Sequence, residues 1–304
     1  MKTALSTTTN TFSPKAIFTD FKEITKAGLA ISVLFSSIAG YLLGFNDAHP
    51  FQWSVLLMLC IGGYCMVGAS NAFNQVIEKD LDALMDRTKN RPVPSGRMSS
   101  NVALLVASLL TLTGLTLLYM INPKTAMFGA ISIFLYTCVY TPLKTITSLA
   151  VFVGAFPGAI PFMLGWVAAT GDFGIEAGTL FLIQFFWQFP HFWAIGWFLY
   201  EDYEKAGFFM LPTGKKDKGT ALQVILYSVW LIIASLLPSI GYTGQLFISP
   251  IAAGIVFLLG LWMLYYAVQL YKIRTAKAAR TLMLVSVSYI SLLQLVYIID
   301  KFLR

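Results

Sequence analysis

The chain has 304 residues, 57% hydrophobic and only 12% charged, with a formal net charge of +7 and a mean hydropathy of +0.73. A soluble domain of this size does not need so much apolar surface, so the composition excludes an ordinary soluble enzyme and indicates a polytopic membrane protein. The basic excess is explained by its placement along the chain, and no nucleic-acid partner is expected.

The first 25 residues are polar and Thr-rich, without the apolar segment of a signal peptide. Residues 1–25 are expected to form a polar cytoplasmic tail, and residues 26–304 a single transmembrane domain. Apolar windows long enough to span a bilayer fall at about 28–45, 53–73, 101–121, 125–141, 148–170, 177–199, 220–238, 249–271 and 281–299. This predicts an all-α, polytopic protein of about nine transmembrane helices. Cys60, Cys65 and Cys138 lie inside these runs without ligand spacing and read as packing residues.

The loops alternate in charge. The N-terminus, residues 79–97, Lys144, residues 205–218 and residues 272–280 hold eighteen of the twenty-one Lys and Arg residues. The positive-inside rule therefore places the N-terminus in the cytoplasm and, with an odd number of spans, the C-terminus outside. Ten of the fourteen acids share the basic side. Orientation alone requires only the bases, so this side reads as an active face.

The segment from Asn71 to Arg97 reads NAFNQVIEKDLDALMDRTKNRPVPSGR. Asn74, Glu78, Asp82 and Asp86 recur every four residues, a drift of about 40° per step on a helix, so Asn74, Glu78 and Asp82 share one face while Asp80 points away. Arg87, Lys89, Arg91 and Arg97 follow, in a stretch broken by Pro92, Pro94 and Gly96. Oxygen ligands one turn apart suit a hard divalent cation, and nearby cations suit a phosphate. A solvated, ion-paired helix end explains any one of these residues as well; the set together favours metal and phosphate.

The fourth window leaves through Tyr136–Tyr140 and TPLK, putting Lys144 at the cytoplasmic mouth. In the fifth, Gly154, Gly158 and Gly165 permit close helix approach and Pro157 and Pro161 would bend the helix; close packing and cavity lining explain them equally well. The sixth carries Gln184, Gln188 and His191, polar groups that are costly in a membrane, then Glu201, Asp202, Glu204 and Lys205. If that helix continues past Pro190, Asp202 and His191 share a face, with His191 about 16 Å deeper, room enough for a large flat substrate. A packing histidine is an equally good reading of His191 alone. The loop at 272–280 is expected beside anionic lipid headgroups.

The pattern at Asn74, Glu78 and Asp82, continued as DALMDRTKNRP, resembles the first motif of the UbiA-type intramembrane prenyltransferases. The haem-farnesylating branch is matched by DxDxxMxRTxNRP over 80–92, YTPLK over 140–144, GAFPGAIPFMLGWVAATG over 154–171, WQFPHFW over 187–193 and DYEKAGFFMLP over 202–212. Three features depart from the superfamily pattern. Glu78 replaces the usual Asp, Phe198 stands where a first acid would precede Asp202, and Lys26 lies in TKAG where relatives often have TKP.

The resemblance implies a UbiA-type bundle with a central cavity open to the cytoplasmic side of the inner membrane. It implies Mg²⁺ held by Asn74, Glu78, Asp82 and Asp202, a diphosphate neutralised by Arg87, Arg91, Lys144 and Lys205, and a haem or prenyl pocket including Tyr140, Trp187 and His191. Asn74, Glu78, Asp82, Asp202 and Lys144 form the implied catalytic set. The implied reaction moves a farnesyl group from farnesyl diphosphate to a vinyl group of haem b, a substrate and not a prosthetic group, with water added to give a hydroxyethylfarnesyl side chain. Membrane lipid and a downstream haem-modifying enzyme are the further partners implied. The competing readings are a prenyltransferase acting on a quinone precursor or another aromatic, and a transporter of an anionic lipid or metabolite. A transporter would place its coupling charges at mid-membrane rather than at one interface.

Overall fold

Helix boundaries follow the capping chemistry of the sequence. The computed structural model describes residues 13–304, and among them every regular element is helical. Near the N-terminus come α1 (Pro14–Ile24), α2 (Ala27–Gly44), α3 (Trp53–Ile77) and the single turn α4 (Lys79–Asp82). Next are α5 (Ser100–Ile121), α6 (Pro123–Phe134) and the short α7 (Thr141–Leu143), with a π-helical turn, Leu135–Tyr140, between the last two. They are followed by α8 (Leu149–Thr170), α9 (Ile175–Phe198) and α10 (Tyr200–Lys205), then α11 (Lys218–Leu236), α12 (Pro250–Ile273) and α13 (Ala276–Leu303). Ser99, Asn122, Asp217, Ser249 and Thr275 each cap a helix by accepting from a backbone N–H of its first turn. Pro123 and Pro250 sit at helix starts, where their missing N–H removes no bond.

Eight segments among the described residues are long and apolar enough to cross a bilayer: α2, α3, α5, α6 through α7, α8, α11, α12 and α13. The protein is thus a multi-pass membrane protein. The sixth window of the sequence corresponds to α9, which has 24 residues but is more polar, carrying Gln184, Gln188 and His191. It packs between α8, α11 and α13, and Pro190 does not interrupt it. The first twelve residues of the expected tail lie outside the described residues, and Pro14–Ile24 of that tail is helical.

The bundle is turned outward as lipid requires. Leu105, Leu112, Ile251 and Leu258 are exposed, whereas Ser36, Gln184, Gln188 and Gln294 are buried. Gln294 Nε2 donates to Ser36 Oγ at 3.0 Å and to Gln184 Oε1 at 3.3 Å, binding α13 to α2 and α9. The centre of the fold is the α2–α8 crossing. A methyl group built on Gly40 would stand 2.0 Å from the Phe162 carbonyl oxygen, and one on Gly165 2.0 Å from that of Ser37. Gly154 and Gly158 likewise receive the Tyr140 ring and the Gln188 amide. Close packing therefore accounts for all three glycines of α8.

The loops separate to two ends. Residues 20–26, 78–97, 144–148 and 199–212 contact one another at one end. At the other, Lys124 pairs with Asp172, Asn46 Nδ2 donates to Gln245 Oε1 and Lys301 Nζ donates to the carbonyls of Leu42, Leu43 and Phe45. Gly165→Val is expected to separate α2 from α8 and to destabilise the protein by about 1–3 kcal/mol or more. Thermal unfolding of the purified variant in detergent measures this.

Candidate functional site

The charged end is assembled from the exit of α3. Although α3 ends at Ile77, the amide of Glu78 donates to the Asn74 carbonyl at 2.9 Å and that of Asp82 to the Glu78 carbonyl at 2.7 Å. Helical spacing therefore persists through α4, and Asn74, Glu78 and Asp82 all face inward, 2%, 3% and 1% exposed. Asp80 points away, as the spacing predicted, and Asp86 leaves the row altogether. It is exposed and bonded to Lys89 at 2.6 Å and Lys205 at 2.5 Å, and these two hold its carboxyl down at about 2.

Each inward acid meets a base. Lys144 Nζ lies 2.7 Å from Glu78 Oε1 with both side chains buried, and Arg91 Nη1 donates to Asp82 Oδ2 at 2.7 Å. Asp82 Oδ1 is sealed from solvent without a hydrogen-bond partner. Asn74 Nδ2 donates to Thr141 Oγ1 at 3.3 Å, and that hydroxyl donates in turn to the Tyr136 carbonyl at 2.8 Å, leaving the Asn74 amide oxygen for another role. The π-helical turn delivers these partners. Pro142 brings no N–H and would crowd a carbonyl in a regular α-helix; the wider turn accommodates it and places Tyr140, Thr141 and Lys144 on the site. Lys144 Nζ stands 4.8 Å from the Tyr140 ring centroid and 5.3 Å from that of Phe208, so its charge is flanked by aromatic faces.

Asp202 lies beyond a junction of the kind seen at Glu78. α9 ends at Phe198 and Leu199 has φ −101° and ψ 15°. Yet the Leu199 amide donates to the Ile195 carbonyl and the Tyr203 amide to the Leu199 carbonyl, both at 3.0 Å, so helical bonding runs on into α10. Asp202 Oδ1 accepts from the Asp86 amide at 2.8 Å and from Lys205 at 3.2 Å, and Oδ2 accepts from the Arg87 amide at 3.3 Å. Partial burial opposes ionisation there, but those two amides and Lys205 still hold its carboxyl below the usual range. The two acidic loops thus converge, with Lys205 bridging Asp86 and Asp202 instead of standing free. Among the described residues no three Asp, Glu, His or Cys side chains gather at one point, and Glu78 and Asp82 each hold a base. The donor set nevertheless fits a hard divalent cation. Asn74, Glu78 and Asp82 offer oxygens only, on one face, with one carboxylate oxygen unpartnered.

Beside this cluster lies a cleft of about 440 Å³ lined by Lys22, Lys26, Arg87 and Arg91, with Glu23, Asn90 and the first residues of α2. Lys26, whose place in TKAG was the only sequence cue to it, turns the chain between α1 and α2 with φ +47° and leaves the α2 N-terminus without a side-chain cap. Burial, then repulsion from Arg91, Lys144 and Arg87, lowers its ammonium to about 7 against the pull of Asp82. An uncapped helix N-terminus among cations suits an anion. Thr88, whose hydroxyl donates to the Asp82 carbonyl at 2.7 Å, and Tyr203, whose hydroxyl accepts from Arg87 Nη2 at 3.4 Å, are further site residues that single-sequence spacing does not reveal. His191 lies apart, on α9. Its ring stacks on Trp187 at 4.5 Å and 17°, and Nδ1 is 2.8 Å from Ser286 Oγ.

Lys144→Met leaves Glu78 buried and unpaired, at an expected loss of about 3–5 kcal/mol, while replacing both residues with apolar side chains loses far less. A double-mutant cycle of thermal melts measures the difference.

Comparisons with known proteins show the family and the fold. The sequence profile of the UbiA prenyltransferase family matches residues 33–293. The chain is 82% identical over 295 residues to a protoheme IX farnesyltransferase of Flavobacterium johnsoniae, covering 97% of this chain and 98% of that one. It is 77% identical over 296 residues to that of Flavobacterium psychrophilum, covering 97% and 99%. In fold it is similar to a digeranylgeranylglyceryl phosphate synthase, with TM-score 0.75 and 19% identity over 94% of this chain and 99% of that one. It is also similar to a UbiA homologue from Archaeoglobus fulgidus bound to DMAPP and Mg²⁺, with TM-score 0.66 and 14% identity over 90% and 99%.

Proposed function

The chain belongs to the UbiA prenyltransferase family, and from that premise we propose that it transfers a farnesyl group from farnesyl diphosphate to a vinyl group of haem b. One observation carries the reading: Glu78 with Lys144 and Asp82 with Arg91 form two inward acid–base pairs beside a basic cleft. A divalent cation with a diphosphate matches that array charge for charge, the acids facing the metal and the bases the phosphates.

Asn74, Glu78 and Asp82 would hold Mg²⁺, with Asp202 completing the set through the lone pair that Oδ2 retains. When bound, the metal supplies Lewis-acid stabilisation of the leaving group. Lys144, Arg91, Arg87 and Lys26 provide fixed positive charge where negative charge develops as the C1–O bond of the allylic diphosphate breaks. The electron pair leaves with the diphosphate, and the Tyr140 ring faces the prenyl cation. The vinyl π electrons form the new bond to C1, water adds to the resulting cation and loses a proton, and the hydroxyethylfarnesyl side chain results. Trp187 and His191 would line the haem side, with His191 meeting the haem either as a ligand of the iron or through a propionate. The charged end faces the cytoplasm across the inner membrane, which fits the loop charges.

Purified protein in detergent, given haem b, farnesyl diphosphate and Mg²⁺, is expected to yield the hydroxyethylfarnesyl porphyrin by mass analysis. Asp82→Asn is expected to lower turnover about 100-fold or more, and chelation to abolish it. Product formed equally well without a divalent cation would overturn the reading. Because protonated Lys26 binds the anion and its pKa is about 7, kcat/KM for the diphosphate should fall as pH rises through that value. A pH profile should lose this limb in Lys26→Arg, whose guanidinium stays charged.

A further inference from the structure

We infer that Ser286 on α13 fixes His191 in a single tautomer, so that Nε2 presents its lone pair to the iron of bound haem. This rests on the haem-contact reading of His191 above. The Ser286 hydroxyl donates to the Met283 carbonyl at 2.7 Å, and its oxygen lies 2.8 Å from His191 Nδ1. A hydroxyl has one hydrogen. With that hydrogen on Met283, the Ser286 oxygen can only accept, so Nδ1 carries the proton and Nε2 the lone pair. The Met283 carbonyl lies within hydrogen-bonding reach of the imidazole as well, a second acceptor beside the ring, and Nε2 is not among the sealed, partnerless atoms of the interior.

The ring plane is fixed by the same turn of α13. Trp187 Nε1 donates to the Ser286 carbonyl at 2.7 Å, and the Trp187 indole stacks on the imidazole. Phe192 meets the ring edge-on, 5.5 Å away. Ser286 itself is fully buried, so water does not compete for its hydroxyl. Ser286 therefore acts on the tautomer through its side chain, beside the Met283 carbonyl that also faces the ring, and anchors the stacking partner through its backbone. A histidine that ligates a metal commonly has its second nitrogen held in this way, and losing the holder weakens binding about 10–100-fold. Ser286 is thus a positioning residue for the substrate.

The test is a titration of the full-length protein in detergent with haem b, read by Soret absorption and low-temperature EPR of the ferric form. Wild type should show imidazole-ligated haem, and His191→Ala should lose that signature. Ser286→Ala should weaken binding at least about tenfold and blur the ligation signature while retaining the wild-type melting profile. Ser286→Thr, which keeps the hydroxyl, should restore both, whereas the isosteric Ser286→Val should not; this pair remains decisive if the alanine variant fails to fold. If His191→Ala leaves the spectrum unchanged, the haem contact falls and the inference with it. If His191→Ala abolishes ligation but Ser286→Ala and Ser286→Val match wild type, the contact stands and the inference about Ser286 is overturned.

Discussion

The interaction on which the site depends is the buried ion pair between Lys144 and Glu78. It joins the exit of α3 to the π-helical end of α6, two segments far apart in sequence. Neither charge would be stable there alone, because an unpaired buried ion loses its hydration without compensation. The pair therefore enforces an approach that apolar packing does not specify. It also leaves the site charged in its interior, ready to exchange one counter-ion arrangement for another. Arg91 does the same for Asp82, and Asp82 Oδ1 remains unpartnered.

Around this interior pair runs an outer clasp. Asp202 caps the backbone at 86–87, Lys205 ties Asp86 to Asp202, and Arg97 secures α1 through Asp20 and Glu23. Gln75 and Asn71 on α3 donate to the carbonyls of residues 23–25, which completes the seat of α1. The clasp consists mainly of exposed charge, and each such pair contributes little to stability. Its effect is positional: it closes the loops over a cleft whose walls are basic. Behind it, the apolar bundle provides a rigid support through the α2–α8 crossing and the Gln294–Ser36–Gln184 network.

Much of the fold was legible because a bilayer imposes a single strong requirement. Every spanning backbone must satisfy its own hydrogen bonds, so apolar length and helix length coincide. Among the described residues each window accordingly falls on a helical segment, eight of them long and apolar enough to span, and Ser, Asn, Asp and Thr caps mark many of their starts. The acid row on α3 was legible for a similar reason: the four-residue spacing of Asn74, Glu78 and Asp82 is a local property that survives the junction at Glu78. The docking of Asp202 on the amides of Asp86 and Arg87 was not legible, because it joins residues 116 and 115 positions apart.

By itself, the sequence determined the membrane setting, the helix register, the row of inward acids and the family to which their spacing belongs. These follow from nearest-neighbour geometry and from the solvent. Only the tertiary structure decided which base meets which acid, that Lys205 bridges two acids instead of facing the cleft, that Lys26 faces the cleft, and that Ser286 holds His191. Apart from Asp82–Arg91, nine positions apart, and Lys205–Asp202, three apart, such pairings join residues dozens to more than a hundred positions apart. Long-range complementarity of charge and shape selects them, and no local periodicity encodes it.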